Sequence, residues 1–304
     1  MIVVIGSSNT DMIVKIPQIP TPGETILGGE FTTAAGGKGA NQAVAAARCG
    51  GRVKLVANVG TDSFGSQAIT NFQADGIDTT HVFQDAGAPS GIALIMVSEA
   101  GENSIAVAPG ANHRLSPANI DELRSIIHEA SILLIQLEIP LETVEKAIEI
   151  AHKHKVKTIL NPAPACKLSD ALLAQVSIIT PNESEAALLT GIQVHNEPDA
   201  IEAGKQLIQR GVGIAIITLG AQGAMLVNAD GAQKVSTYSL NPIDTTAAGD
   251  TFNGALAVAL SEGKNLLQAV QFANAAAALS VTRMGAQPSV PQRSEVEQLL
   301  NTQL

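Results

Sequence analysis

Ile2-Val3-Val4-Ile5-Gly6-Ser7-Ser8 follows directly on the first residue, and its reading decides the fold. Four consecutive apolar residues closed by Gly-Ser-Ser make a strand buried on both faces, of the kind that begins a doubly wound sheet. Apolar runs recur at 53–59, 132–137, 158–160, 177–180 and 214–219, each next to a stretch with helical periodicity. Alternating strands and helices predict an α/β fold, a Rossmann-like three-layer α/β/α core with a mainly parallel sheet.

Two regions break that rhythm, about 11–33 and 90–108, where short β-branched runs are joined by Pro, Gly and Glu-Ala-Gly-Glu-Asn turns. Because both lie inside the αβ succession, they predict one small antiparallel β lid that leaves the core and returns. Such a lid covers a substrate, pairs with another subunit to make a homodimer, or does both. No internal repeat or low-complexity tract interrupts the chain, so residues 1–304 are read as a single domain.

Composition agrees. Apolar residues make up 45% of the 304, aromatics only 2%, and Trp is absent, so the core is built from Ala, Val, Ile and Leu. A net charge of −10, from 28 acidic and 18 basic residues with no basic block, argues against nucleic acid and anionic membrane as partners. It does not exclude a phosphate ligand held locally by helix N-termini. Cys49 and Cys166 stand far apart without metal-ligand spacing, and neither a basic leader nor about 18 apolar residues in a row is present. These features predict a cytoplasmic protein.

The chemistry-bearing residues follow the predicted strands. Asp244-Thr245-Thr246-Ala247-Ala248-Gly249-Asp250 precedes Phe252, Leu256, Ala259 and Leu260 at helical spacing, so a loop turns into a helix there. The first-turn amides at Ala247, Ala248 and Gly249 have no intrahelical partner and suit an anionic oxygen, with Asp250 beside them. Gly36-Gly37-Lys38-Gly39-Ala40-Asn41-Gln42 lets backbone approach a ligand closely, yet it is neither a Walker A loop nor a dinucleotide fingerprint. Asn9 and Asp11 follow the first strand, and Glu138 follows the run at 132–137, at the strand ends where open α/β sheets bind ligands. Acid and amide together suit sugar hydroxyls. Asn182 and Glu185 read equally as a ligand pair or a helix cap, and Thr218-Leu219-Gly220-Ala221-Gln222-Gly223 as a nucleotide contact or a plain turn.

In their order along the chain, between Ile2 and Pro291, these segments resemble the ribokinase family of carbohydrate kinases. The signatures are the glycine-rich stretch 36–48 and Asp-Thr-Thr-Ala-Ala-Gly-Asp-Thr-Phe-Asn-Gly at 244–254. Asn161-Pro162-Ala163-Pro164-Ala165 and the segment 281–289 resemble the D-ribose-phosphorylating members. The resemblance implies ATP-dependent phosphorylation of the 5-hydroxyl, with D-ribose held by Asn9, Asp11, Gly37, Lys38, Asn41 and Glu138 and its proton taken by Asp250. It places ATP against Asn182, Thr218, Leu219, Gly220, Ala221, Gln222, Gly223, Gly249 and Asn274, where Asn274 stands in place of a histidine. It implies Mg²⁺ on the phosphates, with Glu185 nearby directly or through water. It also implies an activating K⁺ at Asp244, Thr246, Ser280, Arg283, Gly285 and Ser289. Kinases of deoxyribose, fructose or a keto-deoxy acid, and a non-catalytic sugar-binding protein, are the alternatives; a Rossmann oxidoreductase is disfavoured by the missing GxGxxG.

Overall fold

The computed structural model describes residues 1–27 and 29–302; Gly28, inside the first lid segment, and Gln303 and Leu304, at the end of the single-domain span, lie outside the described residues. The strands are β1 (Ile2–Ile5), β2 (Asn9–Ile16), β3 (Glu30–Gly36), β4 (Val53–Gly60), β5 (Asp78–Asp85), β6 (Gly91–Ser98), β7 (Asn103–Ala108), β8 (Ile132–Ile135), β9 (Lys157–Leu160), β10 (Ile178–Ile179), β11 (Ile214–Thr218), β12 (Ala224–Asn228) and β13 (Gly231–Val235). Nine form one sheet, ordered β13-β12-β11-β10-β9-β8-β1-β4-β5, parallel from β11 to β5 and antiparallel only at the β11-β12-β13 edge.

Alternation along β1 explains the layers. Ile2 and Val4 join one apolar cluster, with the Ala-rich helices Lys38–Arg48, Ala248–Ser261 and Leu266–Ser280. Val3 and Ile5 join the other, with helices Leu141–Lys153 and Glu197–Gln209. Successive side chains of a strand point to opposite faces, so a sheet covered on both sides needs continuous apolar runs. Strand order reverses at β1, which has β4 on one side and β8 on the other. Ligands of open α/β sheets bind outside the carboxyl ends at such a reversal.

The other four strands form the lid, ordered β3-β2-β6-β7. Its two antiparallel hairpin pairs, β2-β3 and β6-β7, match the expected segments, and a parallel β2-β6 pairing joins them. Register puts Asp11 opposite Ala93 and Ala93 opposite Val107, and likewise Ile13, Ile95 and Ile105 in a row. Asp11 therefore shares its lid face with an apolar strip.

Candidate active site

Two close backbone approaches build the floor of the site. Gly39 lies against the end of β1, where a Cβ on it would come within 2.6 Å of the Gly6 Cα and of the Ser7 nitrogen. This seats the helix Lys38–Arg48 directly on the strand end, and the Ala40 amide donates to the Ser7 carbonyl at 2.8 Å. A Cβ on Gly254 would lie 2.5 Å from that of Ala45 and 2.6 Å from the Gln42 carbonyl oxygen. The helix Ala248–Ser261 thereby meets the first helix closely enough for side chains to bond across.

Asp250 sits at that crossing, in the first turn of its helix and 7% exposed. Asn41 Nδ2 donates to its Oδ2 at 3.0 Å and Gln42 Nε2 to its Oδ1 at 2.9 Å. Burial pushes its carboxyl above the usual range, the Lys38 ammonium and the Gln42 and Asn41 bonds pull it back, and Glu138 adds to the rise. The preceding turn is open only in part, because the Ala248 amide donates to the Thr245 carbonyl at 3.3 Å. Ala247, at φ 58°, starts the helix without a side-chain cap, and the amides of Gly249 and Asp250 have no carbonyl one turn back to bind.

Around Asp250 the predicted sugar residues converge. Glu138 Oε2 accepts from the Ser7 hydroxyl at 2.5 Å and from the Lys38 amide at 3.0 Å. Lys38 is opposed by burial, but Asp250, Glu138, Glu185 and Asp11 together hold its ammonium above the ordinary lysine range. Burial and the charges of Glu138 and Asp250 push Asp11 up to about 6 against the pull of Lys38. The Asp11 carboxyl lies where a side chain on Gly36 would be, with its Oδ2 2.3 Å from that hypothetical Cβ. Gly37, at φ 90°, passes so close to Asn9 that a Cβ would stand 2.7 Å from the Asn9 nitrogen. Asn9 is fixed by Asn112, whose Nδ2 donates to its Oδ1 at 2.7 Å and whose Oδ1 accepts from the Ser8 amide.

The predicted nucleotide residues lie along the neighbouring strand ends. Asn182 and Glu185 form a capping box on helix Glu183–Thr190, so the cap reading holds, yet Glu185 still faces Lys38 and burial raises its carboxyl. Asn182 pairs with Thr218 in a parallel bridge. Leu219 is buried, and Gly220–Gln222 makes a short 3₁₀ turn containing Ala221. Gly223 packs on the carbonyl of Val235 and the amide of Thr237. Asn274 spends its amide group on the Val235 and Ser236 carbonyls at 3.0 and 3.2 Å, which pins the strand end that Gly223 rests on.

The predicted cation residues are partly assembled. Asp244 accepts from the Thr246 amide and hydroxyl and from the Gly285 amide at 2.8 Å, while its own amide donates to the Val281 carbonyl. Burial opposes the Asp244 charge, but those three donors hold its carboxyl low. Ser280 and Ser289 are buried with their hydroxyls on the carbonyls of Ala277 and Ala286. Arg283 points its guanidinium at Glu295. A carboxylate with about four acceptor sites has one left after three bonds. Among the described residues no group of three or more His, Cys, Asp or Glu is arranged to hold a metal.

A family model described as pfkB family carbohydrate kinase matches residues 1–293. The chain belongs to this family. Among PfkB relatives, a Haemophilus influenzae ribokinase is 45% identical over 297 residues, 98% of this chain and 97% of that one. The ribokinase structure from Thermotoga maritima superposes with a TM-score of 0.91 at 39% identity, covering 99% of each chain. An Arabidopsis thaliana ribokinase solved with ribose and ATP gives 0.93 at 34% identity over 98% of each.

The residues that converge around Asp250 were expected from the sequence, and the side chains that support them were not. Ser7, Gln42, Asn112, Gln136, Asn161, Thr180 and Asn253 are buried polar side chains that hold them. A polar residue within or just after an apolar strand, as Gln136 is, was the available signal, because burial without a hydrogen-bond partner is costly.

Proposed function

We propose that this chain transfers the γ-phosphoryl group of ATP to the 5-hydroxyl of D-ribose, giving D-ribose 5-phosphate and ADP. The observation that carries the reading is the buried Asp250 carboxylate beside the uncapped helix start, ringed by Lys38, Asn41, Asp11 and Glu138. Full-length ribokinases as relatives, one of them solved with ribose and ATP, support the same substrates.

In this mechanism Asn9, Asp11, the Gly37 amide, Lys38, Asn41 and Glu138 hold the sugar hydroxyls, and Asp250 accepts the proton of the attacking one. ATP lies along Asn182, Thr218–Gly223 and the strand end fixed by Asn274. Its γ-phosphate meets the turn Ala247–Gly249, where the amides stabilise developing charge, an effect typically worth about 10²–10³ in rate per donor. Mg²⁺, when bound with ATP, would neutralise the phosphate oxygens, and Glu185 is the residue that would hold it, directly or through water. Asp244, Thr246 and the loop carbonyls around Ser280, Arg283, Gly285 and Ser289 would hold K⁺, whose charge stiffens the loop that leads into Ala247.

The lid closes over the sugar and excludes water from the γ-phosphate. Its apolar strip, with Ile105 and Val107 each at least half exposed, is the surface we assign to a homodimer contact. We place the protein in the cytosol, where its two free cysteines stay reduced; burial pushes the Cys49 thiol up to about 12. Release of ADP with D-ribose, 2-deoxyribose, fructose and a keto-deoxy acid, each with and without K⁺, tests the assignment. D-ribose with K⁺ is expected to give the highest kcat/KM, and a higher value for any other sugar overturns the substrate.

A further inference from the structure

We propose that Gln42 is a positioning residue for Asp250, its amide fixed by Gln136 and Asn161 so that only N–H donors face the carboxylate. The inference rests on the reading of Asp250 as base. Gln42 Nε2 donates to Asp250 Oδ1 at 2.9 Å and to Asn161 Oδ1 at 3.0 Å, and Gln42 Oε1 accepts from Gln136 Nε2 at 2.6 Å. Asn161 is itself oriented, because its Nδ2 donates to the Thr180 carbonyl at 3.2 Å. Every polar atom of the Gln42 amide therefore has an assigned direction. A flipped amide would turn its carbonyl toward the carboxylate and its N–H group toward the N–H group of Gln136.

From Asn161 the network passes back to the anion-binding turn. The Thr180 hydroxyl donates to Asn253 Oδ1 at 2.7 Å, and Asn253 Nδ2 donates to the Gly249 carbonyl at 2.8 Å. The base and the turn that would face the γ-phosphate are thus tied to one hydrogen-bonded frame. All five side chains are at least nine-tenths buried. Gln136 reaches Gln42 although its own Oε1 has no partner, and Gly6 leaves the room, since a Cβ there would stand 2.2 Å from that oxygen. An apolar side chain at 136 avoids that orphaned acceptor, so packing alone does not account for a glutamine.

The charged groups facing Asp250 are Lys38 at the start of the helix Lys38–Arg48, Glu138 after β8, Asp11 from β2 and Glu185 after β10. Donors to a carboxylate favour its ionised form. Removing one raises the pKa, and the acidic limb of the rate profile moves to higher pH.

The test measures kcat across pH at saturating D-ribose and ATP for Gln42→Met, Gln136→Met, the double variant and Asp250→Asn, with ribose affinity measured alongside. Gln42→Met should move the acidic limb up by about one pH unit, a tenfold loss at low pH. Gln136→Met, which does not touch Asp250, should move it the same way by less. Ribose affinity should stay within about twofold, and the double variant should match Gln42→Met because both act through one amide. An unmoved limb in Gln42→Met, or losses that multiply in the double variant, overturns the proposal. If Gln136→Met does not fold, the limb of Gln42→Met decides. Full turnover by Asp250→Asn would instead sink the assignment of the base, which separates the two failures.

Discussion

The floor and the lid of the candidate site solve opposite problems. In the floor, polar side chains are buried at the carboxyl ends of parallel strands and each finds a partner across the chain: Asn41 and Gln42 on Asp250, Ser7 on Glu138, Asn112 on Asn9. In the lid, apolar side chains reach water, with Phe31 64% and Ile105 55% exposed. A sheet with helices on both faces can finish its site by itself. A four-stranded sheet with none leaves a face that only closure over ligand or a second subunit covers. On the proposed function the floor is preformed for chemistry, and the lid is completed by ligand or by a second subunit.

Substitutions can break that contrast. Asp250→Asn should lower kcat by about 10²–10⁴ and leave ribose affinity nearly unchanged, as read by calorimetry and ADP release. Lys38→Met strips the one cation from a cluster of four carboxylates. It should weaken ribose binding and lower kcat/KM by about 10²-fold, the worth of a buried charge-assisted bond; a loss confined to kcat would move Lys38 from sugar to phosphate. Ile105→Glu puts a charge in the lid strip. It should shift sedimentation from dimer to monomer at micromolar concentration and raise the ribose KM several-fold with kcat less affected; an unchanged dimer would assign the contact elsewhere.

The smallest effect concerns stability. Asp11 has its pKa raised to about 6, so the folded protein binds its proton more tightly than the unfolded chain. Its charge therefore costs stability above about pH 6, a cost that disappears as pH falls toward the ordinary carboxylate value. Asp11→Asn should raise the melting temperature at about pH 8, by on the order of 1–3 kcal/mol of stability, and not at about pH 4, while weakening ribose binding. A melting point that drops at both pH values would mean that Asp11 supports the lid rather than the ligand.

Legibility in the sequence followed the same division. Apolar runs betrayed β1, β4, β8, β9, β10 and β11, because strands covered on both faces leave little room for polar residues. The edge strands β5 and β13 escaped, since Asp78–Asp85 reads Asp-Thr-Thr-His-Val-Phe-Gln-Asp, which carries no such run; β12 escaped although Ala224-Met225-Leu226-Val227 is one. Helix Lys38–Arg48 starts earlier than its apolar stretch suggests, because Gly37 at positive φ rather than a capping side chain begins it. The lid segments were visible from their turns, but the parallel β2-β6 pairing was not, since it joins residues about 80 apart with nothing local to set register. Asp250, Lys38, Asn41 and Glu138 were legible as acids, amides and a lysine after strands and glycines. Gln42, Gln136 and Asn161 were not legible as their supports, because a hydrogen bond between residues 42 and 250 leaves no periodic trace.

The most direct test of Asp250 as the base is the pH dependence of single-turnover phosphorylation of D-ribose, compared between the native chain and Asp250→Asn. The account predicts that the native rate falls with decreasing pH through one group above the ordinary carboxylate range, and that the residual rate of Asp250→Asn is low and flat. The same limb in both proteins would contradict it.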